Sequence, residues 1–359
     1  EATVPTRQAH QVVGDAEDDG EIAVWSWELI EAPPDSAATP QPPSSQETSL
    51  TPDRAGRYVL RLTVIDDVGL TDSCEAVVNA EPTPPDAICP DPIDTTPLTE
   101  VTLQGDGIDD GAVVAWSWTL VEGPPGSAAS PPFPEDERIT TFMPDVAGVY
   151  TLRLTVVDDD GMEDSCDVTV SARPGEGLRI ELYWNPPDES CDTHHEADCD
   201  PTDLDLHQLP PDAPNWFESA TTDADCYWAN CVGGLEWDSP GLADNPRLDL
   251  DDVEGFGPEN INIDEPIIGQ VYTIGVHYYA DDSYGPSQAY VRIYCGMIDV
   301  DPVYEAGPVE LHAMGIDLEN EFWRVATVVW NGYSCTVDPL IGASGGHDIV
   351  MASSLYSHR

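Results

Sequence analysis

Apolar and polar residues alternate along most of the chain with a period of two. In the segment 150–156, Tyr, Leu, Leu and Val alternate with Thr, Arg and Thr, so one face of this segment is predicted to be buried. Pro, Gly and Asp turns separate such segments, and none shows the period of an amphipathic helix. The pattern predicts an all-β protein built from sandwiches.

The first half of the chain is an internal repeat. The second copy follows the first by 91 residues at Trp25 and Trp116 (116 − 25) and by 92 residues at Cys74 and Cys166 (166 − 74). A period of this length indicates tandem whole domains rather than a solenoid. The matching segments are 24–27 with 115–118, 33–38 with 124–129, 52–56 with 144–148, 58–67 with 150–159, and Cys74 with Cys166.

The repeated motif W-x-W … PDxxGxYxLxLxVxDxxG resembles the polycystic-kidney-disease (PKD) domain family. The resemblance covers about residues 1–174 and rests on many spaced positions. It implies two immunoglobulin-like β-sandwiches that serve as spacers or adhesion modules in extracellular proteins. The same resemblance implies a scaffold rather than a catalyst.

Residues 178–359 have another pattern, which predicts one larger β-sandwich. We therefore expect three domains, at 1–82, 83–174 and 178–359, the first lacking its first strand. The motifs D-x-D-x-H at 203–207 and G-x-G-P-E at 255–259 resemble a domain of unassigned function in secreted bacterial proteins. This resemblance covers roughly 200–295 and implies fold and location more than mechanism.

Charge excludes several classes of partner. The chain has 69 acidic and 12 basic residues, a net charge of −57, and every basic residue is arginine. Such a chain repels nucleic acid and anionic membranes, so neither is an expected partner. The sequence contains no run of 18 apolar residues, so it predicts no membrane insertion. The nine cysteines favour an oxidising compartment, which predicts a secreted or cell-surface protein.

Eight cysteines are predicted to pair. In the second repeat, a bridge between Cys89 and Cys166 would join the first and last strands. Six cysteines in the third domain allow fifteen connectivities. We expect the pairs Cys191–Cys199, Cys226–Cys231 and Cys295–Cys335. A zinc site with His194 and His195 is the weaker alternative for the first of these loops.

Cys74 has no predicted partner. The equivalent of Cys89 in the first repeat would fall at 89 − 91 = −2, before Glu1. One interpretation, which the sequence favours, is that the chain is a fragment of a longer array. Another is that a second molecule supplies the missing strand, as in strand-addition polymers. The third is a free buried thiol.

Acidic clusters predict calcium sites, because calcium prefers six to eight oxygen ligands. A glycine-containing loop and a nearby strand motif carry Asp249, Asp251, Asp252, Glu254, Glu259, Asp203 and Asp205. The repeats carry matching acids at Asp18, Asp19, Asp66, Asp109, Asp110 and Asp158. The alternative is that these side chains cap turns on an acidic surface.

Enzymatic activity is not expected. Asp205 and His207 could form two-thirds of a triad, but the chain has neither a G-x-S-x-G elbow nor an H-E-x-x-H motif. We expect a non-enzymatic structural or adhesive protein of a bacterial surface, matrix or filament, which binds other copies of itself or neighbouring surface proteins. The alternative is a calcium-dependent glycan-binding module of a secreted hydrolase, with the aromatic set Trp184, Trp216, Tyr227, Trp228 and Trp237.

Overall fold

The protein is all-β in a computed structural model, and three groups of sheets follow one another along the chain. Period-two alternation produces these sheets, since each strand buries one row of side chains. The structure describes residues 1–175, 177–185, 202–210, 213, 216–217, 225–232, 237, 243–252, 257–280, 285–296, 301–313 and 320–355.

The first sandwich has a four-stranded sheet in the order β1-β6-β5-β3 and a two-stranded sheet of β2 and β4. Their inward faces enclose Trp27, Tyr58 and Leu60, which are at most 5 % exposed. The strands are β1 (Ala2–Pro5), β2 (His10–Val13), β3 (Ile22–Glu31), β4 (Glu47–Leu50), β5 (Gly56–Asp66) and β6 (Thr71–Glu81).

The second sandwich repeats this plan, with sheets β11-β13-β14-β8 and β12-β9. Trp118 and Tyr150 are fully buried in its core, at the positions of Trp27 and Tyr58. The strands are β7 (Asp86–Ile88), β8 (Ile93–Thr95), β9 (Val101–Gln104), β10 (Asp106–Ile108), β11 (Val113–Glu122), β12 (Ile139–Phe142), β13 (Gly148–Asp158) and β14 (Glu163–Ala172).

The two repeats differ at one edge. In the second, β7 pairs with β10, and the disulfide Cys89–Cys166 ties the residue after β7 to β14. In the first, residues 15–17 correspond to β10 but pair with no strand among the described residues. Cys74 is free, as the sequence predicts, and it is exposed, so the alternative of a buried thiol is wrong. β1 pairs in parallel with β6 as β8 does with β14, so β1 and β8 are counterparts.

The third sandwich packs two five-stranded sheets around one core. One sheet has the order β17-β18-β15-β20-β21; the other has the order β16-β19-β22-β23, with β24 also paired to β22. The strands are β15 (Leu178–Asn185), β16 (Asp203–Leu209), β17 (Arg247–Leu250), β18 (Glu259–Ile263), β19 (Val271–Ala280), β20 (Ser287–Cys295), β21 (Tyr304–Leu311), β22 (Glu321–Trp330), β23 (Cys335–Pro339) and β24 (Asp348–Met351).

Disulfides also cross-link parts of the third sandwich. Cys295–Cys335 joins the last residue of β20 to the first of β23 and so links the two sheets, while Cys226–Cys231 closes the short helical turn α1 (Trp228–Cys231). A 3-10 turn, Ala352–Ser354, follows β24. The pairs Cys89–Cys166, Cys226–Cys231 and Cys295–Cys335 are those that the sequence predicts, whereas Cys191–Cys199 lies outside the described residues.

Candidate functional site

Arg7 and Arg54 of the first sandwich reach into the second. The Arg7 guanidinium donates to Thr83 Oγ1 at 3.0 Å, to the Ile108 carbonyl at 3.3 Å and to Asp86 at 2.7 Å. Arg54 Nη1 donates to the carbonyl oxygens of Asp110 and Gly111, the latter at 3.0 Å. Charge-assisted hydrogen bonds of this kind are stronger than neutral ones and fix geometry. The junction is therefore held by two arginines of a chain that has only twelve.

The junction between the second and third sandwiches is more deeply buried. The Ala147 amide donates to Glu181 Oε1 at 2.8 Å, and Arg179 Nε donates to the same oxygen at 2.6 Å. Arg179 also donates to the Asp145 carbonyl at 3.3 Å. Arg179 and Glu181 are 5 % and 1 % exposed, and Val146 is 2 % exposed. The ion pair therefore lies within the interface and bonds directly to the neighbouring backbone.

A second contact at this junction is aromatic. The rings of Tyr183 and Tyr290 stack with centroids 4.7 Å apart, and the Arg292 guanidinium lies 4.7 Å from the Tyr183 ring. Arg292 Nη1 donates to the Pro125 carbonyl at 2.8 Å. A Cβ added at Gly126 would lie 2.4 Å from Tyr183, so only glycine allows this approach. The third sandwich thus docks on the 124–127 loop as well as on the 144–148 loop.

The third sandwich contains a buried polar centre. Asp205 and His207 are two residues apart on β16, so they share a face. His277 of β19 is the direct cross-strand partner of Asp205. Potential ligand atoms of Asp205, His207 and His277 lie within 4.8 Å of one another, and the three residues are 3 %, 0 % and 1 % exposed. The strand register therefore places two imidazoles and a carboxylate together inside the protein.

Asp225 orients His207. Its Oδ2 lies 2.7 Å from His207 Nδ1, and both side chains are fully buried. His207 Nε2 is buried and has no hydrogen-bond partner among the described residues. The Tyr227 ring stacks on His207 at 4.8 Å, and Phe217 and Phe322 meet it edge-on at 4.9 and 5.4 Å. His207 Nε2 thus belongs to an imidazole that is enclosed by aromatic rings.

A second group of oxygen atoms adjoins this centre. Atoms of Asp203, Asp205 and Glu259 also lie within 4.8 Å of one another. Glu259 is 1 % exposed, and its Oε2 accepts a hydrogen bond from the Leu206 amide at 2.7 Å. Its Oε1 is buried without a hydrogen-bond partner in the described chain. Burial and the Asp205 carboxylate raise the pKa of Glu259 well above its usual range. Glu259, from the predicted acidic loop, and the β16 aspartates therefore meet.

Among the other described acids of that loop, Asp251 lies near Glu259 and, in addition to burial and Asp205, helps to raise its pKa. Asp249 accepts hydrogen bonds from Arg247 and Asn262, which engages both of its oxygens. Asp251 and Asp252 line a cavity of about 420 Å³ between the second and third sandwiches. Glu254 lies outside the described residues. The structure therefore gathers only part of the predicted ligand set.

In the repeats, most of the predicted acids bond to turn backbone. Asp66 Oδ1 accepts the amides of Val68 and Leu70, and Asp158 Oδ1 accepts those of Asp160 and Met162. Further such bonds, all to nearby amides or to Thr83, involve Asp18, Asp109 and Asp110, while Asp19 is exposed. Both groups of three candidate ligands found among the described residues lie in the third sandwich, not in the repeats.

The predicted aromatic set does not form one surface. Trp184 and Trp216 are buried, at 1 % and 5 % exposure, whereas Trp228 is 41 % exposed. Tyr227 stacks on His207, and Trp237 stacks on Tyr272. These rings serve mainly as core and loop packing.

Sequence reasoning missed two residues of the polar centre, His277 and Asp225. His277 lies in the alternating segment 272–279 but on the face opposite the apolar row of Tyr272, Ile274, Val276 and Tyr278, so alternation gives no signal for its burial. Asp225 directly precedes Cys226, whose backbone pairs with Gln208, the neighbour of His207. Neither pairing can be deduced from spacing along the chain.

Comparison with known proteins identifies the first two sandwiches. Residues 2–79 and 92–171 match the family model that describes the PKD domain of KIAA0319-like proteins. Dyslexia-associated protein KIAA0319 of Homo sapiens is 30 % identical over 185 residues, which cover 48 % of this chain and 16 % of that protein. Dyslexia-associated protein KIAA0319-like protein of Mus musculus is 28 % identical over 184 residues, covering 48 % and 17 %. The chain spans about one sixth of the length of these curated relatives.

Two solved structures are similar to parts of this chain, at low overall similarity. The solution structure of the PKD domain from KIAA 1837 protein is 24 % identical, covering 24 % of this chain and 84 % of that chain, with a TM-score of 0.21. The crystal structure of DIP-gamma IG1+IG2 is 11 % identical, covering 48 % and 92 %, with a TM-score of 0.25. The family match, together with the repeat and its topology, makes the first two sandwiches tandem PKD-like domains of immunoglobulin fold. Such domains are typical of extracellular adhesion and structural proteins.

In the part of the chain that the structure describes, every helix is too short to cross a bilayer.

Proposed function

We propose that this chain is a non-enzymatic structural or adhesive part of an extracellular protein of a bacterial surface, matrix or filament. In this proposal the three sandwiches act as a stiff spacer. The observation that carries it is the repeated use of one loop. The loops 52–56 and 144–148 occupy the same position in successive repeats, and each contacts the following sandwich.

Stiffness follows from the nature of these contacts. A flexible array would leave its linkers solvated, with few hydrogen bonds across each junction. Here Arg54 and Arg292 each span a junction to a backbone carbonyl, and Glu181 is bonded inside the second interface. Buried, charge-assisted contacts resist bending because any rotation leaves a desolvated group unpaired. Each sandwich is therefore expected to hold its orientation against the next.

The proposal is tested by small-angle X-ray scattering on the whole chain and on Arg54→Ala and Arg292→Ala. We expect one narrow distribution of interatomic distances for the wild type and a broader one for each variant. Arg57→Ala is the matched control, because Arg57 pairs with Glu31 within the first sandwich. Equal, broad distributions for all four proteins would refute a stiff array.

A bead assay separates adhesion from the glycan-binding alternative. Beads that carry the whole chain are mixed with one another, and separately with cellulose, chitin and xylan. Bead-to-bead aggregation supports adhesion between copies. Binding to a polysaccharide without aggregation favours the accessory module of a secreted hydrolase.

Other copies of the chain, or neighbouring surface proteins, are the proposed partners. The support is the match of the first two sandwiches to a PKD-domain family, since such domains are typical of extracellular adhesion proteins. Cys74 is exposed and is the counterpart of the bridged Cys166.

Calcium is the ion we propose for the oxygen group of Asp203, Asp205 and Glu259. Its support is the unpartnered, buried Oε1 of Glu259. Three carboxylates are a donor set that calcium prefers over softer ions. A melting temperature that rises with Ca²⁺ in the wild type, and not in Glu259→Gln, is the expected result.

A further inference from the structure

We propose that Asp205, His207 and His277 form a binding site for a transition-metal dication of the zinc class. The site lies on the face of β16 and β19 opposite the core of the third sandwich, and it shares Asp205 with the oxygen group proposed for calcium. Two imidazoles and one carboxylate supply three ligands from two adjacent strands. This donor set is common to zinc and to other first-row dications in proteins.

The backbone brings the three ligands together before any metal arrives. In the β16–β19 ladder, Asp205 faces His277 and His207 faces Gly275. Asp205 Oδ2 lies 3.7 Å from His277 Nδ1, which is longer than a hydrogen bond and suits two ligands of one ion. A Cβ at Gly275 would lie 2.4 Å from Phe322 and 2.9 Å from Trp216. Glycine therefore lets these rings close over the strand opposite His207.

His207 is prepared as a ligand by Asp225. A histidine that binds a metal commonly donates its other ring N–H to a carboxylate, which fixes the tautomer and ring orientation. The 2.7 Å contact between His207 Nδ1 and Asp225 Oδ2 is of this kind. It leaves the lone pair on Nε2, the buried atom without a hydrogen-bond partner among the described residues. An unsatisfied nitrogen in a fully buried ring is costly unless something binds it.

The donor set also discriminates between ions. Calcium requires six to eight oxygen ligands, whereas imidazole nitrogen suits zinc, copper, iron and nickel. The surroundings of His207 are aromatic, with Tyr227, Phe217 and Phe322 in ring contact. These rings enclose the imidazole on several sides. The site is accordingly matched to a dication with low coordination number, and the oxygen group at Glu259 is not needed to complete it.

The test uses the whole chain, freed of metal with a chelator and assayed without added Ca²⁺, because Asp205 belongs to both groups of candidate ligands. Zn²⁺ is supplied to the folded chain and during refolding, and bound metal is counted by competition with a chromophoric chelator. Co²⁺ serves as a spectroscopic probe, since its visible absorption reports nitrogen ligands. We expect one equivalent of Zn²⁺ per chain, a higher melting temperature, and a Co²⁺ band that Zn²⁺ abolishes.

Variants assign the site. His207→Gln and His277→Gln should lose at least about 100-fold in affinity, while Asp225→Asn, at a positioning residue, should lose about 10- to 100-fold. His312→Gln is the matched control, because His312 lies on the surface of the same sandwich beside Glu310 and Glu321. Circular dichroism of each metal-free variant verifies that it folds.

Three results would overturn the proposal. The first is no stoichiometric Zn²⁺ binding by the wild type. The second is unchanged affinity in a folded His207→Gln or His277→Gln. The third is binding that disappears in the double variant His194→Gln/His195→Gln and persists in His207→Gln, which would move the metal to the 191–199 loop.

Discussion

Arg54 and Val146 hold the same position in the two Pro-Asp-x-Ala-Gly loops, and each faces the following sandwich. Arg54 donates two hydrogen bonds to backbone carbonyls across the first junction. Val146 is 2 % exposed at the second, where the neighbouring Ala147 amide bonds to Glu181. One fold position thus makes a polar junction in one repeat and a buried one in the next. The same holds for Arg7 and Leu98, which both have positive φ and line successive junctions.

Glu181→Gln should destabilise the second junction and the third sandwich. It removes the negative partner of buried Arg179, and breaking a buried pair costs about 3–5 kcal/mol. Urea unfolding measures the change. Glu75→Gln is the control, since Glu75 forms an exposed pair with Arg61 that is worth about 0–1 kcal/mol. A loss below that of the control would show that Glu181 is not needed at the interface.

Gly126→Ala should loosen the same junction by steric conflict. The new Cβ would lie 2.4 Å from Tyr183, in addition to the strain of a positive φ of 80°. Gly161→Ala isolates the backbone contribution, because Gly161 has a φ of 81° and nothing within 4 Å of its added Cβ. We expect about 1 kcal/mol of destabilisation for Gly161→Ala and clearly more for Gly126→Ala. Denaturant unfolding, with scattering to follow the interdomain distance, measures both.

Tyr150→Phe should destabilise the second repeat by about 1–2 kcal/mol at neutral pH. The Tyr150 hydroxyl lies 2.6 Å from Asp145 Oδ1 and accepts a hydrogen bond from the Val146 amide at 3.1 Å. Burial, together with the Asp145 carboxylate, raises the pKa of Tyr150 above its usual value of 10. Chemical denaturation at pH 7 measures the difference in unfolding free energy.

The same variant predicts a pH effect of defined sign. Near pH 10 the unfolded chain releases the Tyr150 proton, while the folded chain keeps it because its pKa is higher. This contribution is complete below pH 10 and is lost as the pH rises above it. The stability gap between wild type and Tyr150→Phe should therefore narrow as the pH rises from about 10 to about 11. Tyr333→Phe, at a site 85 % exposed, should show no such change.

Removing the bridge of the second repeat should destabilise that repeat alone. Cys89–Cys166 closes a loop with a separation of 77 residues. Loop-closure entropy gives an upper bound of about 4–5 kcal/mol, and measured bridges contribute about 2–4 kcal/mol. Native-state proteolysis with peptide mass spectrometry, applied to Cys89→Ala/Cys166→Ala, localises the loss. Cys74→Ala changes the equivalent cysteine of the first repeat and should leave stability nearly unchanged.

The fold of the first half could be predicted because two independent patterns agree there. Alternation defines strands such as β5 and β13, and the repeat shows that both occupy the same place in one domain plan. The third sandwich was predictable in its long strands, since β16, β19 and β22 each carry a strong apolar row. The short strands β23 and β24 cannot be predicted from alternation, because each has only a few, partly exposed apolar residues.

The candidate sites show where sequence reasoning ends. Asp205 and His207 share a face by spacing alone, but His277 joins them through the register of β16 with β19. Alternation fixes which face a residue occupies and not which residue lies opposite it on the next strand. The contacts at the junctions cannot be predicted from the sequence for another reason, since Arg54 and Arg292 bind main-chain carbonyls. A carbonyl leaves no trace in the sequence of the receiving loop.

The bonding of arginine side chains to main-chain carbonyls affects which sequence changes the junctions can accept. Because every residue carries a carbonyl, the loop that receives Arg54 can vary in side chain without losing the bond, whereas the loop that receives Arg292 must also keep Gly126. For Arg54, only the backbone path of the receiving loop must persist. Neighbouring modules could therefore be exchanged, duplicated or reordered while the arginine on the donating side is kept. Long arrays can grow from such a joint without a new interface for each pair of modules.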